Sequence, residues 1–361
     1  MEESRAERVE SLAYILHRGV VPSVGLATDR YLLSALGKPH RPRPGVLRVY
    51  EFPGEVLAAG RWHLMPAGAA DAGETFVRRL TGGRALALGE GYVGISLLLP
   101  HRSALFAEDR FALAPFQVAN RYVRGLVRAL KSLGLSAFYP GRDLVTVNRR
   151  PIAALAFETD EQGRLLFEVI LAVERPLGAV AKLLDRRDVG GVIKADMLAL
   201  EAGTSLRAEI GESLSVADLG ALLRDSFAVQ YGVRIEEVPL SPLEEQAVAA
   251  LALREGRGWT TARQPRGDLP LAGSSGIQTG VLEAHFALEQ GRFIKEVMLA
   301  GDFIANSPAI AALEYRLRLC PAEWTAIGRV VDAVFADPSN YLLGVGRVRT
   351  VADTIVKGLP T

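Results

Sequence analysis

Arg78-Arg79-Leu80-Thr81-Gly82-Gly83-Arg84-Ala85-Leu86 is the stretch on which the reading of this chain turns. Two adjacent glycines after a pair of arginines let backbone amides come close to an anionic group, because no Cβ stands in the way. Arginine adds charge-assisted bonds to carboxylate or phosphate, two at a time where the geometry allows. Taken alone, the same residues also describe a glycine turn beside solvated arginines.

Around this loop the pattern alternates short strands with helices. Val46–Phe52 reads as a strand ending at Pro53-Gly54. Val118, Tyr122, Leu126, Leu130 and Leu133 form a helical stripe over 116–133, with Gly134 placed to end it. Leu144–Val147 and Ile152–Phe157 flank a hairpin turn at Asn148–Pro151, and Leu165–Val173 reads as a buried strand. Ser215 with Asp218 predicts a capped helix running to Tyr231 before Gly232, and Ser241-Pro242-Leu243-Glu244 predicts another. A glycine- and proline-bearing stretch over 256–276 precedes a strand pair, Val281–Leu288 and Phe293–Leu299. Closing helices are expected to start at Pro308 and Pro321, and Thr350 with Asp353 to cap a third. The fold class is therefore α/β (α+β), a mixed sheet with helices against it, plus a small α+β unit. The units are expected over 1–250 and 265–361, with the boundary near 240–265.

Composition narrows the function. The chain has 361 residues, with 42 Lys+Arg against 41 Asp+Glu, so its net charge of +1 gives no general reason to hold a phosphate backbone. No run approaches the roughly 18 apolar residues of a membrane helix, and the polar start MEESRAERVE is unlike a signal peptide. A cytoplasmic protein without nucleic-acid or membrane partners is expected. The single cysteine, Cys320, leaves no internal disulfide, and no two histidines stand at i, i+4 spacing, so no protein-held metal is expected. The lysines are Lys38, Lys131, Lys182, Lys194, Lys295 and Lys357.

The RRxTGG loop resembles that of the lipoate–protein ligase A family, in the biotin/lipoate ligase superfamily. Other pieces match in order. Arg48-Val49-Tyr50 and Gly60-Arg61 resemble the family's first strand and its Gly-Arg-x-Gln turn, with His63 in place of the glutamine. Gly91 to Ser96, Leu133-Gly134-Leu135 and Gly141-Arg142-Asp143-Leu144 are similar to later family segments, and His285 to Phe303 to its accessory domain. The resemblance implies a class II-synthetase-like mixed sheet flanked by helices, with a small C-terminal accessory domain. It also implies a two-step reaction: ATP, with Mg2+, converts lipoate or octanoate to an acyl-adenylate. The acyl group then passes to a lysine of a lipoyl-carrier domain, as in 2-oxo-acid dehydrogenases or the glycine-cleavage H protein. The residues it assigns to substrate and nucleotide are Gly60, Arg61, Arg78, Arg79, Thr81, Gly82, Gly83, Arg84 and Asp143.

One departure matters most. The family's Lys-Ile-Ser-Gly-like hairpin reads Arg150-Pro151-Ile152-Ala153-Ala154, placing Pro151 at the lysine, which supplies the positive donor for the acyl carboxylate. Arg150 is adjacent, but a one-residue offset turns it to the other sheet face unless a bulge intervenes. The family's asparagine before Asp143 is Arg142, its His-His-Gly-Thr reads Glu161-Gln162-Gly163-Arg164, and its histidine after the loop is Leu88. No residue is therefore assigned to catalysis. The alternative is a family member that binds an acyl or nucleotide ligand, or lipoyl domains, without turnover. Cys320, near arginines that would lower its pKa, is weighed as a nucleophile and read as packing. Trp62, Trp259 and Trp324 are likewise read as packing, and Asp185-Arg186-Arg187-Asp188 as a solvated loop.

Overall fold

The structure, a computed structural model, describes residues 8–37, 43–64, 76–177, 203–256, 263–264 and 266–360. Asp185-Arg186-Arg187-Asp188, Trp259, Lys38, Lys182 and Lys194 lie outside the described residues.

The first part is mainly strand: β1 (Ser11–His17), β2 (Val46–Tyr50), β3 (Leu57–Ala59), β4 (Phe76–Arg78), β5 (Leu86–Ala87) and β6 (Tyr92–Leu99). β7 (Ala137–Phe138), β8 (Leu144–Val147), β9 (Arg150–Thr159), β10 (Leu165–Ala172) and β11 (Arg234–Glu237) follow. Among the described residues the largest sheet has the order β11-β1-β2-β6-β10-β9-β8-β7. β1 is parallel to both neighbours, and the other adjacent pairs are antiparallel. This is the mixed sheet expected from the sequence.

Helices α1 (Pro22–Ala35), α2 (Pro115–Tyr122), α3 (Arg124–Ser132), α4 (Leu206–Ile210), α5 (Val216–Tyr231) and α6 (Pro242–Glu255) accompany it. β6 and β10 are buried along their whole length because both sheet faces are covered. On one face, Val49, Ile95, Leu97, Phe167 and Val169 pack with Tyr122, Leu126, Leu130, Leu223 and Phe227. On the other, Tyr50, Ala154 and Ile170 pack with Ala58, Val77 and Leu86 of a small sheet ordered β4-β3-β5. Two residues along, by the strand period, that second face carries a cross-strand row. Arg48 stands opposite Ser96, Ser96 opposite Glu168, and Glu168 opposite Ala156.

Ser215 and Ser241 accept from the amides of Asp218 and Glu244 as expected, and Gly232 ends α5 with φ 64. The helix expected over 116–133 is instead two, divided at Val123. The Tyr231 hydroxyl causes the break by taking over backbone groups there. It donates towards the carbonyls of Arg121 and Tyr122 and accepts from the Gly125 amide at 3.2 Å. Gly125 is also glycine by necessity, since a Cβ would meet the Phe227 ring at 2.6 Å.

The second part holds an antiparallel sheet of β12 (Leu271–Ile277), β13 (Gly280–Glu289) and β14 (Phe293–Gly301). A short pair follows, β15 (Ile304–Ala305) with β16 (Leu342–Leu343), among helices α7 (Ser307–Arg316), α8 (Trp324–Phe335) and α9 (Thr350–Lys357). Leu282, Phe286, Val297 and Leu299 form a separate core with Ile310, Leu313, Val331 and Ile355. The two cores exchange residues: Ile304 and Tyr341 join the first, Trp62 the second.

Two expectations are corrected in this part, and β12 is a strand left unassigned at the end of the glycine- and proline-bearing stretch. α8 starts at Trp324, because Pro321 is held in a bridge to Phe293. Thr350 does not cap α9: its hydroxyl donates to the Val345 carbonyl, and Asp353 accepts from the Trp324 indole at 2.7 Å. No described helix is long and apolar enough to cross a membrane.

Candidate functional site

The RRxTGG loop leaves β4 and lies over the second face of the large sheet. Arg78 turns back to brace the preceding turn, its Nη1 donating to the carbonyls of Arg61 at 2.8 Å and His63 at 2.5 Å. Arg79 braces the loop from within. Its Nη1 donates to Glu168 Oε2 at 2.9 Å and Thr81 Oγ1 at 3.1 Å, and its Nη2 to the carbonyls of Gly82 at 3.3 Å and Arg84 at 2.5 Å. The Thr81 hydroxyl donates to the same Glu168 oxygen at 2.5 Å, and Tyr50 donates to the other at 3.1 Å.

Glu168 was not singled out by sequence reasoning. The signal was available, since it is the one charge in the apolar run of β10. Beside it Arg48 pairs with Asp29 at 2.8 Å, and Ser96 donates to Asp29 at 2.8 Å. Burial pushes the Asp29 carboxyl up against the pull of Arg48.

The glycines are explained largely by packing within the chain. A Cβ on Gly60 would meet the Gly83 carbonyl at 2.1 Å, and one on Gly82 would meet the Phe303 carbonyl at 2.4 Å. Gly83 has φ 82, in the region that favours glycine. Its amide, expected to be available to an anion, donates to the Phe303 carbonyl at 2.8 Å. The second part of the chain thus covers the loop. Trp62 stacks on Phe303 with ring centres 5.6 Å apart, and His63 Nε2 stands 2.6 Å from Asp302 Oδ1. The Arg61 amide donates to the Thr81 carbonyl at 2.8 Å, and its guanidinium lies over the Trp62 ring.

Arg84 reaches outward from the loop. Its guanidinium forms a buried two-pronged pair with Asp143, just ahead of β8, and donates to the Gln278 carbonyl at 3.4 Å. Burial opposes its charge, but Asp143 outweighs burial and holds its pKa above the ordinary arginine value.

The hairpin at the expected lysine turns through Asn148 and Arg149, with φ 50 and 66, and a bulge interrupts the register between Val145 and Thr146. Pro151 is buried, and its carbonyl accepts from the Thr204 amide at 2.8 Å. The bulge does not bring Arg150 into the loop: its half-exposed side chain pairs with Glu209. Glu209 also accepts from Asn148 at 3.0 Å and Thr204 at 2.6 Å, so α4 clasps this turn.

The described lysines lie elsewhere. Lys131 is exposed on α3, Lys295 is exposed on β14, and Lys357 donates to Ser275 at 2.9 Å. Leu88 is fully buried, and Glu161-Gln162-Gly163-Arg164 forms the turn between β9 and β10. Trp324 is partly exposed, whereas Trp62 is buried. The Cys320 thiol is pushed up by burial, which reverses the expectation that nearby arginines lower it. Among the described residues no group of three or more His, Cys, Asp or Glu could hold a metal ion.

A mixed sheet covered on both faces, with this loop on one of them, is the class II-synthetase-like architecture of the lipoate protein ligases. The chain belongs to the lipoyl protein ligase A/B catalytic domain family, whose model matches residues 22–228, more than half its length. Comparison with curated proteins gives no match. Among solved structures, the chain is similar to P. falciparum LipL1 in complex with lipoate, with 14% identity and a TM-score of 0.67 over 96% of this chain and 99% of that one. A bipartite lipoate protein ligase from Thermoplasma acidophilum, described with its E2 lipoyl domain as an archaeal lipoylation system, is 15% identical, with a TM-score of 0.54 over 72% of this chain and 99% of that one. A lipoate-protein ligase A bound with ATP is 15% identical, with a TM-score of 0.51 over 68% of this chain and 95% of that one. At these identities the likeness shows the fold.

Proposed function

We propose that this protein is a lipoate–protein ligase that uses ATP to activate lipoate or octanoate and transfers the acyl group to a lysine of a lipoyl-carrier domain. In the first step a carboxylate oxygen attacks the α-phosphorus of ATP and pyrophosphate leaves. In the second the carrier's amine attacks the acyl carbonyl and AMP leaves. The observation that carries the reading is the RRxTGG loop, seated by Arg79 and Thr81 on Glu168 within a segment that matches the family. Gly60, Arg61, Arg78 and Gly82 shape its backbone, and Arg84 and Asp143 supply charge at its rim. Residues 1–250 would form the catalytic-type domain and 265–361 the accessory domain, in the cytoplasm. Magnesium would arrive with the nucleotide, held mainly by phosphate oxygens and water.

The second reading, binding without turnover, is favoured by one observation: Arg150, beside the Pro151 that the resemblance places at the family's lysine, is committed to Glu209. Losing one electrostatic donor costs about 3 to 4 kcal/mol of transition-state stabilisation, roughly a hundred- to a thousandfold in rate. Intact-mass spectrometry of a lipoyl domain incubated with the protein, ATP, magnesium and lipoate or octanoate separates the two readings. The ligase adds one acyl group only when ATP is present. An unmodified domain, beside a control ligase that modifies it, supports the binding reading.

A further inference from the structure

We infer that Arg84 is the residue that takes the carboxylate of the acyl ligand, in the role Pro151 cannot fill, and that Asp143 is the internal carboxylate the ligand displaces. The inference rests on the acyl-ligand reading above.

A carboxylate bound in a largely apolar site needs a cation, because an unpaired buried charge is strongly disfavoured. Arg78 and Arg79 direct guanidinium bonds to backbone carbonyls of the turn and loop, and Arg79 also to Glu168. Arg61 donates to the Leu80 carbonyl and lies over Trp62. Arg150 is turned to Glu209 at the hairpin's outer end.

Arg84 differs from all of these, because its Nε and Nη2 reach both oxygens of one buried carboxylate outside the loop, whereas Arg79 meets a single Glu168 oxygen and Arg150 pairs with Glu209 half-exposed. Arg84 is 5% exposed and Asp143 2%, so the pair is shielded from water. It also sits at the right strand. The Asp143 carbonyl accepts from the Leu155 amide at 2.8 Å, and the next residue, Leu144, pairs with Ala154, three residues along β9 from Pro151. A guanidinium presents the same two-pronged face to any carboxylate. Asp143 therefore occupies the bonds that an acyl carboxylate would use, and binding is an exchange of one carboxylate for another.

The exchange predicts opposite effects for the two partners. With the full-length protein, octanoate and the uncharged octanamide are titrated by calorimetry into the wild type and into Arg84→Gln, Arg84→Lys and Asp143→Asn. Arg84→Gln should weaken octanoate binding by about ten- to a hundredfold, Arg84→Lys less, and Asp143→Asn should tighten it several-fold. Octanamide should bind all four proteins alike. Unchanged octanoate affinity in Arg84→Gln overturns the inference, as does weaker binding in Asp143→Asn, which serves as the test if Arg84→Gln does not fold. A wild type that binds neither octanoate nor octanamide overturns the acyl-ligand reading itself, and the inference with it.

Discussion

Glu168 Oε2 lies 2.9 Å from Arg79 Nη1, and this ion pair ties the middle of the large sheet to the RRxTGG loop. Both side chains are nearly excluded from water. Arg79 in turn holds the Gly82 and Arg84 carbonyls, so the loop's path is dictated from β10. The second arginine of the motif therefore acts on the loop's shape before it acts on any ligand.

Removing one partner of a buried pair leaves the other charge without compensation, at about 3 to 5 kcal/mol. Arg79→Ala should lose stability on that scale in urea unfolding, and the double variant Arg79→Met with Glu168→Gln should regain much of it. A single variant with the wild-type midpoint and slope would show that the pair does not brace the loop.

Position 151 gives a gain-of-function prediction. The Thr204 amide bonds the backbone carbonyl of Pro151, so a new side chain there leaves that contact intact. In an Arg84→Gln background, Pro151→Lys combined with Ala154→Gly should restore pyrophosphate release with octanoate and ATP, towards the roughly hundredfold that one placed cation is worth. No gain in a triple variant that still binds octanoate would show that a cation at position 151 cannot take over from Arg84.

Arg150 is expected to be dispensable. Its side chain is 47% exposed, and Glu209 keeps bonds from Asn148 and Thr204 without it. An ion pair with so exposed a partner contributes roughly 0 to 1 kcal/mol. Arg150→Ala should leave octanoate affinity within about twofold of wild type, well inside that range. A tenfold loss by calorimetry would return Arg150 to the site.

What was legible in the sequence was local. The capped helices at Ser215 and Ser241, the hairpin at Asn148–Arg149 and the loop itself each depend on residues a few positions apart. The missed features depend on distant partners. α2 and α3 separate because of a tyrosine hydroxyl 106 residues away from Gly125, and the loop's seat joins residues 89 apart. The Gly83 amide looked available only because Phe303, from the second part of the chain, does not appear in any local pattern. β12 escaped because Leu271–Ile277, read LAGSSGI, holds only one β-branched residue, Ile277 at its end, and is otherwise mostly Gly and Ser. Gly273 is small there because a Cβ would meet the Thr354 carbonyl at 1.8 Å.

Glu158 supplies a pH dependence. It is buried at the end of β9, where one carboxylate oxygen accepts from the Ser307 amide at 2.7 Å and so joins the large sheet to the start of α7. Burial pushes its carboxyl up from 4.5 to about 7, against the opposing pull of Arg61 and the bond from Ser307, with Asp160 adding to the rise. The folded protein thus holds this proton more tightly than the unfolded chain. The associated stabilisation is fully present below about pH 4.5 and is lost as pH rises to about 7, on the order of 3 kcal/mol in all. Glu158→Gln keeps the acceptor for Ser307 and removes the titration. Its stability relative to wild type, from urea unfolding, should therefore be about 2 to 3 kcal/mol more favourable at pH 8 than at pH 5. An equal difference at both values would mean that Glu158 ionises in the folded protein at its ordinary pH.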